Sequence, residues 1–172
     1  TQGATVTFTD EDSGTIIDRW GFTDTFDNFI RVTGSEMTDT LTGHDGRQKL
    51  DGREGDDIIS GLGGSDGLSG GAGNDTIDGG SGADSLRGGS GNDYFVVSAG
   101  DTVDGGDGYD IVTASVDVDL STTQFTSVEE VILTGSADQA TADDGGSVLK
   151  AADGNDSSLV GGDAGDTLIG AD

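Results

Sequence analysis

The sequence predicts an all-β fold, a stack of short coils of the β-solenoid kind, and three observations predict it. A nine-residue period runs from Gly43 to Thr113. Each unit of that period carries one fixed apolar position, enough for a very short strand and too little for a helix face. Glycine supplies 33 of the 172 residues with no proline, and 29 of the 34 acidic residues are Asp. Asp and Gly favour turns, whereas Glu would favour helices. Glycine without proline and without a three-residue period excludes collagen.

The units begin at Gly43, Gly52, Gly61, Gly70, Gly79, Gly88, Val97 and Gly105, and the Val97 unit is one residue short, just after Gly100. The fourth position is always glycine: Gly46, Gly55, Gly64, Gly73, Gly82, Gly91, Gly100 and Gly108. Glycine there allows a tight turn with φ > 0. The eighth position is always apolar: Leu50, Ile59, Leu68, Ile77, Leu86, Phe95, Val103 and Val112. Such a residue points inward from the strand while its neighbours point out. One unit is then a turn plus about three strand residues, and two units make one coil with a strand on each side. The sixth position is Asp57, Asp66, Asp75, Asp84, Asp93, Asp101 and Asp110, with Gln48 as the exception in the first unit.

Residues 18 apart become neighbours when coils stack about 4.8 Å apart. Asp57, Asp75, Asp93 and Asp110 form one column; Asp66, Asp84 and Asp101 form the other. Unpaired, each such contact repels by ~1 kcal/mol even in water. The whole chain has the same difficulty. Its net charge is −27. Leu, Ile, Val and Phe total 37 residues, close to the composition at which a charged chain stays disordered. A cation between coils resolves both problems. Carboxylates and turn carbonyls, with no Cys and one His, form a hard oxygen donor set that suits calcium better than magnesium. Roughly seven calcium ions would bring the charge to about −13.

Gly70-Gly-Ala-Gly-Asn-Asp-Thr-Ile-Asp78 matches G-G-x-G-x-D-x-U-x in full. So do the units beginning at Gly79, Gly88 and Gly105. In these residues the chain resembles the RTX family of haemolysin-type calcium-binding repeats. The resemblance implies a right-handed parallel β-roll with several Ca2+ ions between turns. It implies that the sixth-position aspartates hold the ions together with backbone carbonyls of Gly70, Ala72, Gly73, Gly79, Ser81, Gly82, Gly88, Ser90 and Gly91. It also implies a bacterial protein exported by type I secretion that folds outside the cell on meeting calcium.

Three regions follow: N-terminal capping strands over 1–42, the nonapeptide-repeat roll over 43–113, and irregular coils over 114–172. Trp20, Phe22, Phe26, Phe29 and Ile30 would supply the cap, covering the open end of the solenoid. Val116, Val118 and Leu120 alternate with Asp117 and Asp119 as a strand, and 128–135 reads as another. The motif returns at Ala151–Leu159 and Gly161–Ile169, adding Asp156 and Asp166 as candidate ligands. The start at Thr-Gln-Gly and the stop within a motif suggest an excerpt of a longer protein.

Other chemistry finds little support. Without cysteine there is no disulfide, zinc cluster or thiol nucleophile. So acidic a surface repels nucleic acid, and no apolar run is long enough to span a bilayer. The G-x-S-x-G strings at Gly63–Gly67 and Gly67–Gly71 are repeat composition, and His44, the only histidine, reads as an exposed turn residue. Ice binding would need a rank of outward threonines, which the third positions lack. The reading is therefore a non-enzymatic calcium-binding module of a secreted or cell-surface protein, with a structural, adhesive or surface-layer role. Its partners are calcium ions and neighbouring domains or further copies of a surface protein. The alternative is a non-catalytic module attached to a secreted protease, lipase or alginate epimerase.

Overall fold

The computed structural model describes residues 5–8, 13–17, 23–27, 31–122, 124–135, 139–143, 145–152, 158–162 and 165–170. Among them there are strands and turns and no helix. The chain winds as a β-solenoid whose parallel sheets form a β-roll. One sheet runs through Thr40–Thr42, Ile58–Ser60, Thr76–Asp78, Tyr94–Val97, Ile111–Ala114, Glu130–Leu133, Val148–Ala151 and Thr167–Ile169. The opposite sheet runs through Arg31–Thr33, Lys49–Glu54, Gly67–Ala72, Ser85–Ser90, Thr102–Asp107 and Phe125–Thr126. From Arg31 to Phe125 the chain thus passes back and forth between these two sheets, as two units per coil requires.

Register follows from the eighth position. Leu41, Ile59, Ile77, Phe95, Val112, Val131, Leu149 and Leu168 are successive partners in the first sheet. Val32, Leu50, Leu68, Leu86, Val103 and Phe125 are partners in the second. Apart from Leu168, which is exposed, the two stacks meet inside and form one core, in which Leu41, Leu50, Ile77 and Phe95 are fully buried. Residues at the seventh position face out, and Ile58 and Tyr94 are exposed accordingly.

The coiled register begins earlier than the glycine period marks. Gly34–Thr42 is a further unit, with Leu41 in the core and Asp39 buried at the sixth position. Residues 31–42, assigned to the cap by sequence, therefore lie in the roll. The repeat is hidden because Met37 replaces the fourth-position glycine. Ahead of it, Thr5–Phe8 pairs parallel with Thr40–Thr42, and Ser13–Ile17 and Thr23–Asp27 extend the sheet antiparallel. Val6 is buried there. Trp20, Phe22, Phe29 and Ile30 lie outside the described residues, as does the side chain of Phe26.

Beyond 114 the coils persist with altered loop lengths. Val103 pairs with Phe125, 22 residues on, so this coil is four residues longer than two nine-residue units. Val118–Asp119, Gln139–Thr141 and Ser158–Val160 form a further short sheet, with Val118 and Leu120 buried. Glu130 is buried in this region; it accepts hydrogen bonds from Lys150 Nζ (2.6 Å) and the Tyr109 hydroxyl (3.0 Å).

Candidate metal centre

The sixth position lies two residues before the eighth, so on a strand it shares the inward face. The consequence is that Asp57, Asp66, Asp75, Asp84, Asp93, Asp101 and Asp110 are buried, each 3% exposed or less. They stack in two columns, tied by a hydrogen-bond ladder. Each carboxylate accepts through Oδ1 from the backbone N–H of the sixth-position residue one coil earlier. Asp57 N donates to Asp75 Oδ1 (2.8 Å), Asp75 N to Asp93 Oδ1 (2.8 Å) and Asp93 N to Asp110 Oδ1 (2.8 Å). In the second column Asp66 N donates to Asp84 Oδ1 (2.8 Å) and Asp84 N to Asp101 Oδ1 (2.9 Å).

The first column is longer than the repeat pattern suggests. It starts at Asp39, whose N–H donates to Asp57 Oδ1 (2.7 Å). It continues past Asp110 to Glu129, whose Oε2 accepts from Asp110 N (2.7 Å). Asp166 closes it by accepting from Ser147 N (3.0 Å). Asp39 and Glu129 were missed by sequence. For Asp39 the signal was there in Leu41 two residues later, since that spacing recurs in every unit.

The other oxygen decides the chemistry. Oδ2 of Asp57, Asp66, Asp75, Asp84, Asp93 and Asp110 is buried and has no hydrogen-bond partner among the described residues. An unpaired buried carboxylate oxygen is strongly unfavourable. Burial, with the like charges of neighbouring coils adding to it, pushes Asp57, Asp75, Asp93 and Asp110 up from 3.8 to about 6 against the lowering effect of the ladder hydrogen bonds. Asp84 is also raised to about 6, by burial first, and Asp66 is raised by burial. These side chains therefore call for a positive partner.

The oxygen sits where a glycine makes room for it. A β-carbon on Gly61 would lie 2.7 Å from Asp66 Oδ2 and 2.6 Å from the carbonyl oxygen of Gly79, closer than real atoms approach. At Gly52 the same imagined atom would strike Asp57 Oδ2 and crowd the Gly70 carbonyl at 2.8 Å. First-position carbonyls of the next coil thus lie beside the unpaired oxygens. Third-position carbonyls are differently engaged: Ala72 O accepts from Gly55 N (2.8 Å) and Ser90 O from Gly73 N (2.8 Å). Among the described residues no three His, Asp or Glu side chains converge, so a metal here needs main-chain oxygens. Carboxylate plus carbonyl oxygen, in a dry interior, is a donor set that fits calcium.

One sequence expectation changes. His44 is buried rather than exposed: its Nδ1 accepts from Gly46 N (2.8 Å) and its backbone N–H donates to Gln48 Oε1 (2.9 Å). Asp101 differs from its column mates: the shortened loop brings Ser98 N to its Oδ2 (2.7 Å). Asp166 is likewise engaged at Oδ2, by Gly162 N (2.6 Å). Asp156 lies outside the described residues. A second, outer ladder runs beside these columns. Asp56 Oδ1 accepts from Asn74 N (2.7 Å), Asn74 Oδ1 from Asn92 N (2.8 Å) and Asn92 Oδ1 from Tyr109 N (2.8 Å). The recurrence of Asn at 74 and 92 was its visible trace.

Comparison with known families agrees with this geometry. Residues 33–68 and 63–95 match the model of the RTX calcium-binding nonapeptide repeat, in 4 copies. No curated protein matches the chain.

Proposed function

Residues 33–95 being RTX calcium-binding nonapeptide repeats, we propose that the chain is a calcium-folded β-roll module of a secreted or cell-surface bacterial protein, with a structural, adhesive or surface-layer role. Its ligands are the buried aspartates, and the observation that carries the reading is the set of six inward Oδ2 atoms without partners. Bound calcium supplies a charge of +2 and accepts six to eight oxygens. The protein's own part is to present a carboxylate and nearby carbonyls from adjacent coils, while the core keeps water away. Without the ion, burial and repulsion oppose closure of the roll; with it, folding and binding are one process.

Extracellular calcium modules bind in the range of about 10⁻⁴–10⁻³ M, which cytosolic calcium does not reach. The chain would then stay unfolded inside the cell and close outside, in keeping with type I export. A calcium titration followed by far-UV circular dichroism tests this. The β-sheet signal should rise over that range and be abolished by chelator. A β-spectrum at neutral pH that chelator leaves unchanged would sink the reading.

A further inference from the structure

The loops of the roll take two conformations, and the second residue of each unit distinguishes them. In the units starting at Gly52, Gly61, Gly70, Gly79, Gly88 and Gly105, the second and fourth residues both have positive φ, including the non-glycines Arg53 (83°) and Leu62 (68°). These are the same six units whose carboxylate keeps Oδ2 unpaired. A left-handed Arg or Leu is unfavourable, so the loop interior must be stabilised by something else.

In the units starting at Gly34, Gly43 and Val97 the second residue is not left-handed. Its N–H instead donates to the sixth side chain: Ser35 N to Asp39 Oδ2 (2.5 Å), His44 N to Gln48 Oε1 (2.9 Å) and Ser98 N to Asp101 Oδ2 (2.7 Å). These loops close on themselves. Gln48 goes further. Its Nε2 donates to the carbonyl oxygens of His44 (3.2 Å) and Gly46. An amide –NH2 carries two donors, so it can face two carbonyls at once. Gly46 is correspondingly the one fourth-position glycine between 43 and 108 without positive φ.

We propose that the loop from Gly43 to Gln48 is a metal-free rung in which the Gln48 carboxamide does what the ion does in the open loops. The calcium complement of residues 34–113 is then confined to the six open loops, and Asp101 and Asp39 stay outside it. This rests on the calcium reading above. The reason is one of donors: Asp101 already accepts an N–H on each oxygen, from Asp84 and Ser98, and Gln48 brings its own positive dipole to carbonyls that a cation would otherwise face.

The test counts calcium bound per chain in the full 172-residue protein, by isothermal titration and by elemental analysis after desalting. Asp75→Asn should lose at least one ion. Asp101→Asn should retain the wild-type number. Gln48→Glu should gain one, because a carboxylate cannot donate to the His44 and Gly46 carbonyls and adds a charged oxygen beside them. If Gln48→Glu does not fold, Asp101→Asn decides alone. Loss of an ion in Asp101→Asn, or an unchanged number in folded Gln48→Glu, overturns the proposal and leaves the calcium reading standing. An unchanged number in Asp75→Asn overturns both.

Discussion

Asp75 has two jobs that a single substitution separates from those of its neighbours. Its Oδ1 satisfies the buried N–H of Asp57, and its Oδ2 has no protein partner. Asp78, three residues on, lies on the other face of the strand, where its carboxylate only accepts from Gly80 N (3.0 Å). Asp75→Ala should raise the calcium concentration at the folding midpoint about tenfold, ~1.4 kcal/mol, whereas Asp78→Ala should leave it within about twofold, within ~0.4 kcal/mol. Equal shifts in a dichroism-monitored titration would contradict the register. Glycine makes a sharper case at 73. Its φ of 130° is closed to other residues, and a β-carbon there would strike the Gly55 carbonyl. Gly73→Ala should therefore cost at least ~1–3 kcal/mol, measured by urea unfolding in saturating calcium.

At the scale of the strand and its loop, the core column dominates. Phe95 is fully buried between Ile77 and Val112. Phe95→Ala should cost ~3–5 kcal/mol in the same urea assay, while substituting outward Tyr94 should cost far less. Much of this was legible in the sequence. The eighth-position residues gave the core, and the period gave coil length and both columns. The inward aim of the aspartates was equally available, since a separation of two keeps a strand face. The remainder was obscured for particular reasons. Met37 concealed the Gly34 unit, and Glu129 entered the ladder with a longer side chain at a longer spacing. His44 looked exposed because polar turn residues usually are, yet Gln48 draws it in. The capped state of Asp101 depends on how a deletion reshapes one loop, and a residue pattern does not encode that directly.

For the whole molecule, protons and calcium are alternative ways to neutralise the same interior. The folded carboxyls of Asp57, Asp75, Asp84, Asp93 and Asp110 sit at about 6, against 3.8 for the unbound side chain. Between these values the calcium-free folded state holds more protons than the unfolded one. Its stability must then fall as pH rises from about 4 to about 6, and it stays low above that range. Below about 4 both states are protonated and the contribution is complete. In chelator, the β-sheet signal should be larger at pH 5 than at pH 7.5, and saturating calcium should abolish the difference. More β-structure at pH 7.5 in chelator would reverse the sign and refute the burial of these groups.

The carboxylate ladder has a mechanical corollary. Each tie reaches one neighbour and no farther, so the rungs resemble dominoes more than bricks in a wall. Damage at a middle rung, such as a proteolytic nick, should not spread evenly. It should leave two shorter stubs, each with a newly bared edge, and each should survive or fray according to its own length.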